Sequence, residues 1–181
     1  FACLVVVAGY AAQPIRAAGT TSTGDTCTVG DANSLDTLLH ASAAGDTIIF
    51  SVNCTDTNAI MPAAQLFIDH SVTIDGSGHM VAIDGTNSGQ RIFFISSTST
   101  VIFTNLAITN GSTPASGGGF FNFGTLTLDH VALTWNTAGH GTGGGGGIWT
   151  ASALTVTTAQ TRDTQPTGAS GTAGVRHATS G

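Results

Sequence analysis

The chain has 181 residues and a mass of 18.0 kDa, which suits one domain built around a single hydrophobic core. Only 8% of the residues are charged, and 10 acidic against 4 basic residues give a formal charge of −6. This composition excludes a charge-rich disordered chain and a salt-bridged helical bundle. It also argues against nucleic-acid binding, which needs clustered Lys or Arg to contact phosphates.

The first segment, residues 1–18, resembles the back half of a secretory signal peptide. An apolar run from Phe1 to Tyr10 is followed by small residues around Ala17 and Ala18, where cleavage is expected. The run is shorter than the roughly 20 residues that span a bilayer, and no later segment is apolar for that length. We therefore expect a secreted or cell-surface protein without a membrane span. A buried N-terminal strand is the alternative interpretation.

Two cysteines remain if this leader is removed. Cys3 leaves with it, and Cys27 and Cys54 stay in the mature chain. In an oxidising compartment these two residues are candidates for a disulfide bond. A pair of unbonded buried thiols is the alternative.

Residues 19–45 are predicted to form an N-terminal cap with one helix. The helix is expected from Asn33 to Gly45, with Asn33 or Ser34 as N-cap and Gly45 as the stop signal. The apolar residues of this segment fall on one helical face: Leu35, Leu38 and Leu39. We expect this face to cover the open end of the first coil, because an exposed parallel edge promotes aggregation.

Residues 46–156 contain an internal repeat. Residues 117–128 match residues 145–156 without gaps at a shift of 28, and residues 105–111 match 130–136 at a shift of 25. A period of about 20 to 30 residues made of short alternating strands indicates a solenoid of parallel coils. Leu128 should then lie between Phe103 and Val156 of the neighbouring coils. An antiparallel sandwich, the rival all-β fold, does not predict a gapless self-match.

The turns of the coils should carry residues that tolerate unusual backbone conformations. Asp-Gly and Asn-Gly pairs follow several of the strands, as expected for tight corners. Asn110 and Asn136 are predicted to occupy equivalent corners and to form a hydrogen-bonded ladder. After the coils, residues 157–181 lose the alternation and are expected to be a disordered or loosely packed tail.

These segments resemble exported bacterial proteins of the right-handed parallel β-helix, pectate-lyase-like superfamily. The similarity is closest to the N-terminal region of surface proteins with polymorphic-outer-membrane-protein-like repeats. The matching segments are Cys27 and residues 34–50, 66–76 and 117–128. The resemblance implies an all-β fold, a right-handed parallel β-helix with a short N-terminal capping helix. Since such proteins usually have more coils, it also implies that this chain is a fragment of a longer protein.

The polar residues predict no catalytic group, metal site or cofactor. Asp69, Asp75, Asp84 and Asp129 are scattered singly, and turn chemistry explains most of them. The spacings of the central histidines fit no common zinc motif, so we expect them at corners or facing solvent: His70, His79, His130 and His140. The glycine run at 143–147 lacks the Asp of a calcium repeat and the Lys of a phosphate loop.

The aromatic residues suggest carbohydrate contact. Trp135 and Trp149 are the candidates for a sugar-stacking face, whereas Phe120, Phe121 and Phe123 are expected in the core or in a stacked ladder. The predicted function is therefore a non-enzymatic exported or cell-surface scaffold that is adhesive or contacts carbohydrate. Its candidate partners are polysaccharides, host or cell-surface glycans and, through open strand edges, other copies of the chain. The alternative is a fragment of a polysaccharide-degrading lyase or glycoside hydrolase.

Overall fold

The computed structural model describes residues 19–86, 88–139, 144–162 and 175–177. The chain forms a parallel β-solenoid of about 5 turns with one short α-helix. A 3₁₀ turn at Asp56–Asn58 lies between the second and third strands. In chain order the elements are β1 (Thr21–Gly24), α1 (Leu35–Ala41), β2 (Asp46–Phe50), β3 (Leu66–Ile68), β4 (Val72–Asp75), β5 (Ala82–Asp84), β6 (Phe93–Ile95), β7 (Thr100–Thr109), β8 (Ser112–Thr113), β9 (Phe120–Asn122), β10 (Thr125–Thr134), β11 (Thr137–Ala138), β12 (Ile148–Thr150), β13 (Leu154–Arg162) and β14 (Val175–His177).

The strands form three parallel sheets that run along the solenoid. The first sheet has the order β1-β2-β4-β7-β10-β13, and β5 pairs with the second half of β7. The second sheet pairs β8 with β11, and the third has the order β14-β12-β9-β6-β3. Neighbouring strands are parallel and come from successive coils, so the solenoid prediction is confirmed and the antiparallel sandwich is excluded.

The strand register confirms the two sequence shifts. Phe120 pairs with Ile148 at the shift of 28, and Leu106 pairs with Val131 at the shift of 25. Leu128 pairs with Phe103 in one neighbouring coil and with Val156 in the other. Like side chains therefore stack on like around one interior, as the repeat predicts.

Alternation along the strands fills the core. The inward positions carry aliphatic and phenylalanine side chains that are almost completely buried, including Phe93, Phe103 and Phe120. The rings of Phe93 and Phe120 stack with centroids 5.2 Å apart, and Phe103 packs edge-on against Phe120 at 5.0 Å. Burying such a side chain stabilises a fold by roughly 1.5–3 kcal/mol.

Corners in the left-handed region of backbone space bend the long strands. Asn105 and His130 adopt φ 54° and 53° inside β7 and β10, and Asn110 and Trp135 adopt φ 59° and 57° after them. The residue equivalent to Asn110 in the next coil is thus Trp135 and not Asn136. The prediction that Asn110 and Asn136 occupy equivalent corners and form a ladder is therefore wrong. Asn136 points inward instead, because its amide satisfies backbone groups of the coil below.

Helix α1 is shorter than predicted but covers the first coil. Its buried face is the predicted one, Leu35, Leu38 and Leu39, and it packs on β1 and β2. The helix ends at Ala41 rather than Gly45. The buried carboxylate of Asp46 accepts a hydrogen bond from the Ala43 N–H at 2.9 Å, which withdraws that donor from a further helical turn.

The sheets extend beyond the predicted boundaries of the coils at both ends. β1 lies within residues 19–45 and pairs with β2, so the cap region contributes a strand to the first sheet. β13 continues to Arg162, and β14 pairs with β12, although both lie partly or wholly in the predicted tail. Threonine favours strands, and in β13 the ladder of β10 provides partners for its backbone. The predicted leader at 1–18, His140 and the rest of the tail lie outside the described residues.

Short turns connect the third sheet to the first. They differ in length from coil to coil, with residues 69–71, 96–99, 123–124 and 151–153 outside the strands. Within the described ranges, no helix has the length and apolar character needed to cross a bilayer.

A disulfide bond joins the first coil to the next one. Cys27 and Cys54, the pair singled out in the sequence, are bonded with their Cα atoms 5.5 Å apart. Both cysteines are buried, and Cys54 forms a parallel bridge with Val81. The bond closes a loop of 27 residues and stabilises the folded chain by roughly 3.5 kcal/mol in the chain-entropy treatment.

Candidate functional site

An aromatic row runs along the outer surface of the third sheet. It consists of the middle residues of β3, β6, β9 and β12: Phe67, Phe94, Phe121 and Trp149. The residues on either side of each ring face inward and are buried, so alternation turns the ring outward. Strand pairing in register then places each ring directly above the previous one.

The rings of the aromatic row contact one another along the solenoid axis. The centroids of Phe67 and Phe94 are 5.2 Å apart, those of Phe94 and Phe121 are 5.7 Å apart, and Phe121 stacks on Trp149 at 4.3 Å. Phe123 packs against the last two rings at 5.0 and 5.4 Å. Most ring faces are therefore covered by neighbours. Phe67 stands at the end of the row and is 51% exposed.

A cation lies beside the row. The guanidinium carbon of Arg91 is 4.1 Å from the ring centroid of Phe121, a cation–π geometry. Burial lowers the pKa of Arg91, but a guanidinium keeps its charge throughout the physiological range. This positive charge on an aromatic surface contrasts with the net charge of −6 of the whole chain.

Trp135 presents an isolated indole at the corner after β10. Its side chain is 59% exposed although its backbone adopts φ 57°, a conformation that is costly for a bulky residue. Asn136 fixes this corner: its Oδ1 accepts the Gly111 N–H at 2.9 Å, and its Nδ2 donates to the Ile108 carbonyl at 2.9 Å. The anchor is rigid because Asn136 is completely buried.

The two tryptophan candidates lie on different parts of the solenoid. Trp149 belongs to the aromatic row on the third sheet, whereas Trp135 follows a strand of the first sheet. In the coil below Trp135, Asn110 donates a hydrogen bond to Asp84 Oδ1 at 3.0 Å. The exposed indole thus shares its edge of the solenoid with amide and carboxylate groups. The places of Phe67 and Phe94 in the aromatic row, and of Arg91 beside it, are not predicted by the sequence.

A cleft lies at the corner that precedes β5. It has a volume of about 510 Å³ and is lined by Asn53, Gly76, Ser77, Gly78, His79, Met80 and Asn105. Its amides are held in place: Asn53 Oδ1 accepts the Met80 N–H, and Asn105 Nδ2 donates to Ser77 Oγ at 2.7 Å. A Cβ on Gly76 would collide with the Asn105 carbonyl oxygen, so only glycine fits at that place.

The aspartates of the coils act as turn residues. Asp75 Oδ1 accepts hydrogen bonds from the Ser77 N–H and from Thr104 Oγ1, and Asp84 Oδ1 accepts one from the Thr86 N–H. Burial raises the pKa of Asp75, but the hydrogen bonds from Ser77 and Thr104 together outweigh it and leave this pKa below its ordinary value. A lowered pKa does not suit a general acid, which must hold its proton near neutral pH.

The histidines lie in several different environments. His130 is exposed at a corner, with Nδ1 2.9 Å from Asp129 Oδ1, and His79 lines the cleft that precedes β5. His70 instead contacts both an aspartate and a serine. In the part of the chain that the structure describes, no three His, Cys or Asp side chains are grouped so that they could hold a metal ion.

Comparison of the chain with known protein families, curated proteins and solved structures finds no match.

Proposed function

We propose that the chain is an exported or cell-surface scaffold of the pectate-lyase-like superfamily that contacts carbohydrate through Trp135. The observation that carries this proposal is an indole that is 59% exposed on a left-handed backbone corner. An exposed ring in a strained conformation makes little contribution to the core, and such outliers cluster at functional sites. In other proteins the apolar face of a pyranose ring stacks on such an indole.

The surroundings of Trp135 supply the polar half of a sugar site. Saturated rings of carbohydrates carry hydroxyl groups at their edges, and these need nearby amide or carboxylate partners. Asn110 lies at the equivalent corner of the coil below, and Asp84, one coil further, pairs with Thr109 just before that corner; successive coils are about 4.8 Å apart along the axis. A short stretch of a polysaccharide that runs along the axis would contact the indole first and these groups next.

Two features support an exported location. The Cys27–Cys54 bond is of a kind that persists in oxidising compartments, outside the cytosol. The apolar segment within residues 1–18 has the composition of a secretory leader. The bacterial source, the polymorphic-outer-membrane-protein-like relationship and the origin as a fragment of a longer protein belong to the same proposal.

The test is a glycan array probed with the purified chain, followed by titration of any bound glycan. The chain has 2 tryptophans, so their fluorescence can be separated with Trp149→Phe, which leaves only Trp135 as an emitter. We expect the glycan to shift the emission of Trp135 and Trp135→Ala to weaken binding at least tenfold. Met80→Ala is the matched control, because Met80 is a 63% exposed apolar residue elsewhere on the solenoid. Equal binding by Trp135→Ala and the unchanged chain would overturn the proposal.

A further inference from the structure

Three polar residues meet between helix α1 and the turn after β3. Ser42 Oγ lies 2.8 Å from His70 Nε2, and His70 Nδ1 lies 2.9 Å from Asp69 Oδ1. The order is hydroxyl, imidazole, carboxylate, with each ring nitrogen engaged by one partner. This is the connectivity by which serine nucleophiles are activated on unrelated folds. Ser42 and His70 are 28 residues apart in the sequence, and the first coil brings them together.

The backbone holds this arrangement in place from both sides. The Ser42 N–H donates to the Leu38 carbonyl at 2.8 Å, at the end of α1. The Gly45 N–H donates to the Ser71 carbonyl at 2.8 Å, which ties the segment after Ser42 to the turn that carries His70. Neither side chain depends on a long flexible stem for its position.

The hydrogen bonds of His70 orient its ring as a base toward Ser42. The hydrogen bond from His70 lowers the pKa of Asp69, so this carboxylate is ionised at neutral pH. An ionised Asp69 accepts the Nδ1–H of His70, which leaves the lone pair of Nε2 directed at Ser42. The Ser42 hydroxyl has one competing acceptor, the Leu39 carbonyl at 2.9 Å.

The group is open to solvent. The side chain of His70 is 22% exposed and that of Asp69 is 67% exposed.

We propose that Ser42, His70 and Asp69 form an esterolytic site at the capped end of the solenoid, with Ser42 as the nucleophile for acyl esters. Ser42 Oγ forms a bond to the acyl carbon while its proton passes to His70 Nε2. The bond to the leaving alcohol breaks, and that alcohol takes the proton from His70. Water then attacks acyl-Ser42 with His70 as base, which releases the carboxylic acid and restores the hydroxyl. This activity goes beyond the proposed carbohydrate contact.

The backbone N–H groups near Ser42 already have acceptors, so we expect turnover to be slow. The N–H groups of Ser42, Ala43 and Gly45 are already bonded to Leu38 O, Asp46 Oδ2 and Ser71 O. They are therefore not free to stabilise an oxyanion, and the loss of one such donor costs about 10²–10³ in rate. The site should therefore be sought with activated acyl and phosphonyl reagents.

The experiment treats the full chain with a fluorophosphonate and, separately, with 4-nitrophenyl acetate. We expect one covalent adduct that peptide mapping places on Ser42, together with the release of nitrophenol. Ser42→Ala should abolish both signals, and His70→Gln should reduce them by roughly 10²-fold or more. Ser51→Ala is the matched control, a serine whose hydroxyl contacts only the Gly24 carbonyl among described partners.

Each outcome decides the proposal. Mapping on the unchanged chain needs no variant to fold, so an absent adduct or an adduct elsewhere overturns it. Equal nitrophenol release by Ser42→Ala would also overturn it. A merely structural contact between Ser42 and His70 would change thermal stability in the variants but would yield neither an adduct on Ser42 nor release of nitrophenol. Glycan binding by Trp135 is measured independently of these signals.

Discussion

Trp149 lies on Phe121 of the preceding coil, with ring centroids 4.3 Å apart and ring planes only 19° from parallel. This contact joins two coils on the outer surface, where side chains usually contribute little. Stacked aromatic pairs contribute roughly 0.5–1.5 kcal/mol beyond the area that they bury. The aromatic residues on the outer surface of the third sheet therefore stabilise the solenoid in addition to the buried residues of its interior.

Phe121→Ala should lower the stability of the chain more than Phe67→Ala does. Phe121 contacts Phe94, Phe123 and Trp149, and Arg91 packs on its face, whereas Phe67 contacts Phe94 at the exposed end of the row. We expect a loss of about 2–4 kcal/mol for Phe121→Ala and about 1 kcal/mol for Phe67→Ala. Urea unfolding followed by Trp fluorescence measures both. Equal losses would show that the row is only a set of independent exposed rings.

Removal of the disulfide should destabilise the first coils. The double change Cys27→Ser with Cys54→Ser restores the loop entropy of the unfolded chain and should lower the free energy of unfolding by roughly 3 kcal/mol. Reduction of the unchanged chain with dithiothreitol should give the same shift in the urea midpoint. The double variant should then be insensitive to dithiothreitol. A reductant effect in that variant would contradict the assignment of the bond.

Acid should weaken the corner at Asp75. The folded-state pKa of Asp75 is lower than its ordinary value of 3.8, so its ionised form stabilises the folded chain above about pH 4. This contribution is lost as the pH falls through the lowered pKa, because protonation removes the negative charge that strengthens the hydrogen bonds from Ser77 and Thr104. Unfolding midpoints between pH 6 and pH 2.5 should fall less steeply for Asp75→Asn than for the unchanged chain. Parallel pH curves would count against this role.

The free edge of β13 should promote association between copies. Val156 lies in the same column as Leu128 and Phe103, yet it is 45% exposed because β13 is the last strand of its sheet among the described residues. An uncovered apolar strand edge invites pairing with another chain. Val156→Lys should shift sedimentation velocity profiles toward the monomer. Thr155→Lys, on the outer side of the same strand, should leave the profile unchanged.

The sequence predicts the coil architecture because residues that are one repeat apart pair with each other in neighbouring coils. The shifts of 25 and 28 place Leu106 against Val131 and Phe120 against Ile148, and the structure has these pairs. The prediction for the corner after β10 is wrong. At the local shift of 25 the residue equivalent to Asn110 is Trp135, whereas the predicted ladder with Asn136 needs a shift of 26. A residue one position away from a corner points inward rather than outward.

The candidate sites were harder to predict than the fold. The aromatic row arises from strands of three residues, too short for a periodicity argument. Its signal is the recurrence of an aromatic residue directly after an apolar one at spacings of 27, 27 and 28, from Phe67 to Trp149. The contact of Ser42 with His70 has no local signal, because neither residue belongs to a motif and only the first coil joins them.

The unequal turns between the third and first sheets give this solenoid a way to change length without losing register. A residue gained or lost at 69–71, 96–99, 123–124 or 151–153 alters the circumference of one rung and leaves the strands above and below aligned. Insertions at these places should preserve the strand register, although one at 69–71 would also displace His70 from Ser42. A single insertion inside β7 or β10 would instead turn the side chains that follow it to the opposite side. The length of such repeats can therefore vary along a chain while the fold stays intact. A sequence search with one fixed repeat length would miss repeats of this kind.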